Sequence, residues 1–230
     1  MLSKFVVFDL EFTKLVDQNW SDLHIACAST MKSDESFPYV WYDRTNQGIS
    51  EFMSVATLSN FIMYLQSLSF LGYTIVTWGG AGTDFRVLWK EVPNLRQQIL
   101  QMCLLHVDVP FASGMDIGMM MGLSASARAI GLEDKTVKSI EIPELWRTNK
   151  QLVLTHVSTD SYLTFMVVQN ICNTNTLCWI TQKGVNRCWK PVNLRKVQEC
   201  LLLPLPEVPF QIPDHMNPKI ISKWMFNDDG

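Results

Sequence analysis

The sequence predicts a mixed α/β domain, in which an antiparallel three-strand meander joins parallel strands and helices cover both faces of the sheet. Three observations predict it. Short apolar runs near the N-terminus, each too brief for a helix, are divided by a polar turn, as in consecutive hairpins. A segment with apolar residues at helical spacing follows over 54–69. A further apolar run over 73–78 then enters a glycine cluster that opens into another helix, and a long helix comes late.

Taken in order, Lys4 to Asp9 (KFVVFD) is a central strand by its Val and Phe content. Asp22 to Thr30 and Phe37 to Tyr42 are the next two strands, joined by the polar turn Met31 to Glu35. Ser54 to Ser69 is an amphipathic helix through Val55, Leu58, Phe61, Ile62, Leu65 and Leu68. Tyr73 to Trp78 returns to strand character and runs into Gly79-Gly80-Ala81-Gly82, with a helix from about Thr83 to Lys90. Leu104 to Val107 is a short strand, and Ser124 to Ile130 is a helix stopped by Gly131. Val153 to Ile171 is a long helix that carries His156 and Asp160. Leu177 to Ile180 and Asn186 to Lys190 form a hairpin around Gln182-Lys183-Gly184. Prolines at 204, 206, 209, 213 and 218 then predict extended chain wrapping the domain. The expected division is a main domain over 1–175 and an extension over 176–230, a basic, Trp-containing hairpin with a Pro-rich tail.

With 230 residues, 47 % hydrophobic and 18 % charged, the chain can bury a substantial core and is not disordered in composition. The apolar run around Phe61 to Leu71 is broken by Gln66 and Ser67 and is too short to cross a bilayer. No basic segment precedes an apolar one at Met1, so the expectation is an intracellular, cytoplasmic protein without signal peptide or membrane anchor. A net charge of −3 leaves nucleic acid open as a partner, since acidic proteins that bind it concentrate positive charge on one face. The six cysteines contain no C-x-x-C pair, which argues against structural zinc and for reduced, mostly buried thiols.

The chemistry lies in the acids. Asp9 and Glu11 stand at i and i+2 of a strand, so both carboxylates point to one face. Two like charges at the end of a buried strand are costly unless a cation compensates them. The plainer alternative is a strand ending in a solvated loop. Asp84 follows the glycine cluster at a helix start, where it is either an acid of the same site or a helix cap. His156 and Asp160 share a helix face at i and i+4; His156 either serves the site or simply packs. Hydrolysis of phosphodiesters with two divalent ions needs several converging carboxylates, and Mg²⁺ favours Asp and Glu over His and Cys.

Several segments carry a resemblance: Phe8-Asp9-Leu10-Glu11-Phe12-Thr13, Thr77 to Phe85, His106-Val107-Asp108, Ser124 to Lys135 (SASARAIGLEDK) and Thr155 to Asp160. In this order, over about residues 4 to 172, the chain resembles the DEDD (DnaQ-like) 3′–5′ exonuclease superfamily. It is closest in style to the proofreading-exonuclease-like branch associated with family B DNA polymerases. The resemblance implies an RNase H-like fold and two Mg²⁺ or Mn²⁺ ions. Asp9, Glu11 and Asp160 would hold the ion that activates water, Asp9 would bridge to the second, and Asp84 would support that ion through water. His156 would position or deprotonate the nucleophile, and Asp108 would stand behind the site or fix the following helix. Phe12, Trp78, Gly79 and Gly80 would meet the substrate, and Arg86 would contact phosphate unless it belongs to a solvated face. Two departures stand out: Gly79 replaces the family's usual Asn, and a His stands at the spacing of the family's Tyr.

The implied activity is a metal-dependent 3′–5′ exonuclease acting on a single-stranded 3′ end of DNA or RNA. The alternative is a catalytically weak or inactive nucleic-acid-binding module that keeps the fold. In the extension, Lys183, Arg187, Lys190, Arg195 and Lys196 with Trp179 and Trp189 would suit single-stranded nucleic acid, or the tryptophans simply cover the edge of the core.

Overall fold

The computed structural model describes residues 2–16, 22–133, 135, 137–206 and 217–226. β1 (Phe5–Phe12), β2 (Ile25–Lys32) and β3 (Tyr39–Trp41) form an antiparallel meander, followed by a small hairpin of β4 (Arg44–Thr45) and β5 (Gly48–Ile49). α1 (Val55–Phe70) leads to β6 (Thr74–Thr77), and α2 (Asp84–Glu91) with α3 (Arg96–Leu105) leads to β7 (Val107–Asp108). α4 (Val109–Ile117), α5 (Leu123–Ala129), α6 (Ile142–Thr148) and α7 (Lys150–Thr174) follow. β8 (Leu177–Ile180), β9 (Asn186–Trp189), α8 (Val197–Cys200) and α9 (Pro218–Phe226) end the described chain. The main sheet has the order β3-β2-β1-β6-β7, antiparallel across β3, β2 and β1 and parallel across β1, β6 and β7. This is the mixed α/β, RNase H-like architecture that the sequence predicts.

The alternation of β1 explains how the layers form. Val6, Phe8, Leu10 and Phe12 join a core with α1, α2 and α3, while Phe5 and Val7 join a second core with α5 and α7. Phe8 meets Phe61 and Phe85 edge to face at 5.6 and 5.2 Å, which ties β1 to α1 and α2. Each such ring pair contributes about 0.5–1.5 kcal/mol beyond its buried area. A period of two puts Asp9 and Glu11 on the same face as Phe5 and Val7, toward α7. The pairing with β2 then shifts register between Glu11 and Phe12, a bulge beside the acids after which Phe12 pairs with Ile25.

Several boundaries differ from the sequence expectation for identifiable reasons. α7 begins at Lys150 because the Asn149 side chain accepts from Leu152 N at 3.2 Å, and it ends at Asn175, whose φ of 54° is left-handed. α3 runs through Leu105, so the strand expected over Leu104 to Val107 shrinks to Val107–Asp108. α4, unassigned in the sequence, is buried from Val109 to Met115 and therefore shows no polar stripe to reveal its period.

The tail corrects two expectations. It is not extended throughout: Pro218 opens α9, where a missing N–H costs nothing, and Trp224 Nε1 donates to Ala81 O at 3.2 Å. Pro204 and Pro206 do lie in non-helical chain, whereas Pro209 and Pro213 lie outside the described residues. Nor are all the cysteines reduced. Cys178 and Cys188 face each other across β8 and β9 and form a disulfide, leaving Cys27, Cys103, Cys172 and Cys200 free. A cross-strand pair ten residues apart is invisible to a search for C-x-x-C. Trp179 and Trp189 are 8 % and 6 % exposed and pack with Phe165 and Ile171, so they do cover the edge of the core. Among the described residues, no helix is long and apolar enough to cross a membrane.

Candidate active site

β1, α2 and α7 bring the expected acids together. Asp9, Glu11, Asp84 and Asp160 all line one open cleft of about 640 Å³, with Trp78 and Lys135 also on its wall. Asp9 and Glu11 come from the end of β1, Asp84 from the first residue of α2, and Asp160 from α7 one turn after His156. Asp84 is not the helix cap: Thr83 holds that position without a side-chain cap bond, and Asp84 stands in the first turn.

The tightest group is Glu11, His156 and Asp160, which each offer one ligand atom within 4.8 Å of the others. His156 does not line the cleft; its buried Nε2 lies 3.3 Å from Glu11 Oε1 and 3.6 Å from Asp160 Oδ2. Among the described residues Asp160 Oδ1 is buried without a hydrogen bond, while Asp160 Oδ2 accepts from Lys135 Nζ at 2.7 Å. Asp9 and Asp84 line the cleft without joining that trio.

Charge repulsion is written into these positions. Burial pushes the Asp9 carboxyl well above its ordinary range, and Asp160, Glu11 and Asp84 push it further. Burial also raises Glu11, against the opposing pull of His156. Asp84 is raised well above its ordinary value by burial, then by Asp108 and Glu11. Burial alone would lower Lys135, but Asp160, Asp9 and Glu11 outweigh it and hold the ammonium charged. Lys135 is the internal counter-ion of the cluster. It stands within the SASARAIGLEDK segment, but nothing in its sequence context marks it as part of an acidic site.

Behind the cleft, Asp108 acts as a clamp. Its carboxylate accepts from Gly79 N at 3.2 Å, Ala81 N at 2.8 Å and Phe111 N at 3.1 Å, so it caps α4 and ties down the glycine turn. Burial still outweighs these bonds and pushes its pKa up to about 6. His106 stands beside it. Its Nδ1 must donate to Cys103 O, 2.5 Å away, which leaves Nε2 to accept from the Thr77 hydroxyl at 3.0 Å. Burial holds this ring neutral, with its pKa lowered to about 3.

Gly79 has a φ of +96° and points into open space on the cleft, so glycine here satisfies a backbone need. Gly80 is different: it is buried, and a Cβ there would come within 2.8 Å of the Thr77 side chain. Gly80 packs under the turn and does not line the cleft. Arg86, two residues after Asp84 in α2, is half-buried and is not among the residues that line the cleft. Phe12 and Trp78 do line the cleft, and Trp78 is fixed by donating Nε1–H to Met121 O at 3.0 Å.

No family model matches the chain, and no curated protein matches it. Among solved structures it is similar to the family B DNA polymerase from the hyperthermophilic archaeon Pyrobaculum calidifontis, with a TM-score of 0.53 and 12 % identity. That similarity covers 75 % of this chain and 25 % of the polymerase chain, so it spans about a quarter of the polymerase and concerns the fold.

Proposed function

We propose that this chain is a two-metal-ion-dependent 3′–5′ exonuclease that hydrolyses phosphodiester bonds of DNA or RNA with water as nucleophile. One observation carries the reading: Asp9, Glu11, Asp84 and Asp160 line a single cleft, and Asp160 Oδ1 is buried there without a hydrogen bond among the described residues. Carboxylates that repel one another around one cleft, one of them with a buried unbonded oxygen, have the donor chemistry of a site for Mg²⁺ or Mn²⁺. The likeness to a DNA polymerase agrees with a nucleic-acid-related module.

Asp9, Glu11 and Asp160 would hold the ions, with Asp84 supporting the second ion through water. When bound, the ions supply charge stabilisation for the attacking and leaving oxygens of an in-line displacement. His156 does not line the cleft; its Nε2 lies against Glu11 and Asp160, and from there it would position the nucleophile through those carboxylates. Phe12 and Trp78 present fixed apolar walls for the terminal nucleotide, and the bare Gly79 backbone leaves room beside them.

Time courses on end-labelled single- and double-stranded DNA and RNA with Mg²⁺ or Mn²⁺ test the reading. Metal-dependent shortening from the 3′ end, lost in Asp9→Ala, is the expected result; equal cleavage by wild type and Asp9→Ala refutes it. The second reading, a module that binds nucleic acid without cutting it, is favoured by Lys135 already pairing with Asp160. It would show nucleic-acid binding and no product.

A further inference from the structure

The cleft is acidic and by itself repels a polyanion, so the attraction that brings a nucleic acid strand to it must come from elsewhere on the surface. Charge is strongly segregated along the chain. From Ser161 to Gln198 there is no Asp or Glu, while Lys183, Arg187, Lys190, Arg195 and Lys196 all fall there, in a protein of net charge −3. Arg195 pairs with Asp116 and is taken up by the fold. Lys183, Arg187 and Lys190 are exposed on or beside the β8–β9 hairpin and make no ion pair among the described residues.

The hairpin is a firm platform. Leu177, Trp179 and Trp189 anchor it in the core shared with α7, and the Cys178–Cys188 disulfide closes its two strands. It also adjoins the cleft through α5. Leu123, the first residue of α5, lines the cleft; α5 packs along β8, and exposed Arg128 stands in its last turn. Seven helical residues span only about 10 Å, the reach of two or three nucleotides along a strand.

We infer that Arg128 and the β8–β9 basic residues Lys183, Arg187 and Lys190 form a phosphate-tracking surface for the body of a single strand whose end enters the cleft. The inference rests on the reading of the cleft given above. Because both hairpin tryptophans are buried beneath it, the surface neutralises phosphates and does not stack bases. Affinity should therefore depend steeply on salt and little on base identity.

The test is fluorescence anisotropy with a labelled oligo(dT) of about twenty nucleotides in EDTA, where the cleft carries no divalent ion and no strand is cut. The triple variant Lys183→Glu/Arg187→Glu/Lys190→Glu is expected to bind on the order of 100-fold more weakly. The slope of log affinity against log salt should flatten by about 2, the value for three lost phosphate contacts on a single strand. The charge-preserving variant Lys183→Arg/Arg187→Lys/Lys190→Arg should bind as wild type does, with circular dichroism verifying that every variant is folded. Unchanged binding in the folded triple-Glu variant overturns the inference. So does wild type that binds vesicles containing phosphatidylserine but not the oligonucleotide. If wild type binds through the hairpin but never cuts with Mn²⁺, the surface stands and the exonuclease reading falls, so the two failures are distinguishable.

Discussion

The buried carboxylate at the end of β7 and the four carboxylates around the cleft have opposite surroundings. Asp108, at the end of β7, receives backbone N–H groups from Gly79, Ala81 and Phe111. Asp9, Glu11, Asp84 and Asp160 surround a cleft in which Asp160 Oδ1 finds no partner among the described residues and the acids raise one another's proton affinity. The same side-chain chemistry thus does two jobs. Where backbone donors converge, a carboxylate ties a turn to a helix. Where they do not, carboxylates repel one another and Lys135 is drawn in against Asp160. Satisfaction of hydrogen bonds separates the clamp from the site, and position in the sheet does not.

That contrast can be broken by substitution. Removing Asp9 should reduce phosphodiester hydrolysis on the order of 10³-fold, several kcal/mol of barrier, while leaving stability in EDTA unchanged or raised because one like charge is gone. Urea denaturation alongside the cleavage assay gives both readings. Asp108→Ala should behave the other way in stability, costing about 2–4 kcal/mol, because it orphans backbone N–H groups in a buried turn. If Asp9→Ala unfolds the protein and Asp108→Ala does not, the assignment of clamp and site is reversed.

A smaller effect sharpens the same contrast. Mn²⁺ at about one hundred times its dissociation constant should stabilise wild type by about 2.7 kcal/mol through linkage. Asp108→Asn should keep that melting shift, and Asp160→Ala should lose most of it. A shift that survives Asp160→Ala would place the ion outside the cleft.

How far the sequence carries can be argued residue by residue. The alternation in FVVFDLEF shows both that β1 divides two cores and that Asp9 and Glu11 share a face, because a period of two fixes both at once. Asp84 and Asp160 are legible from their places in an ordered set of motifs. Lys135 is not, since its partner lies 25 residues away and a lone lysine in a loop carries no periodic signal. The hydrogen-bonded set of Asp108, Thr77 and His106 is equally hidden: each residue looks ordinary until β6 and β7 are laid side by side. Arg86 shows the opposite case, for its proximity to Asp84 in sequence suggests a phosphate contact, yet it is not among the residues that line the cleft.

The pH dependence of stability separates Asp108 from the cleft carboxylates within one protein. Asp9, Glu11 and Asp84 have folded-state proton affinities raised above their ordinary values of 3.8, 4.5 and 3.8. Above those ordinary values, and up to the raised ones, the native state holds more protons than the unfolded state. Stability therefore falls as pH rises through that window, by at most about 1.4 kcal/mol per pH unit for each differing proton. Asp108 adds the same sign between 3.8 and about 6. His106 runs against them: with its pKa lowered from 6.5 to about 3, it costs stability as pH falls through that range. Saturating Mn²⁺ would keep the cleft acids ionised in the native state while leaving Asp108 and His106 untouched. Subtracting the Mn²⁺-loaded stability curve from the metal-free one thus cancels the clamp and the histidine. The expected remainder is a Mn²⁺ stabilisation that grows as pH rises above about 4, and calorimetric melting across pH 4 to 8 measures it. A remainder that stays flat would mean that the cleft acids are not the groups that hold the ion.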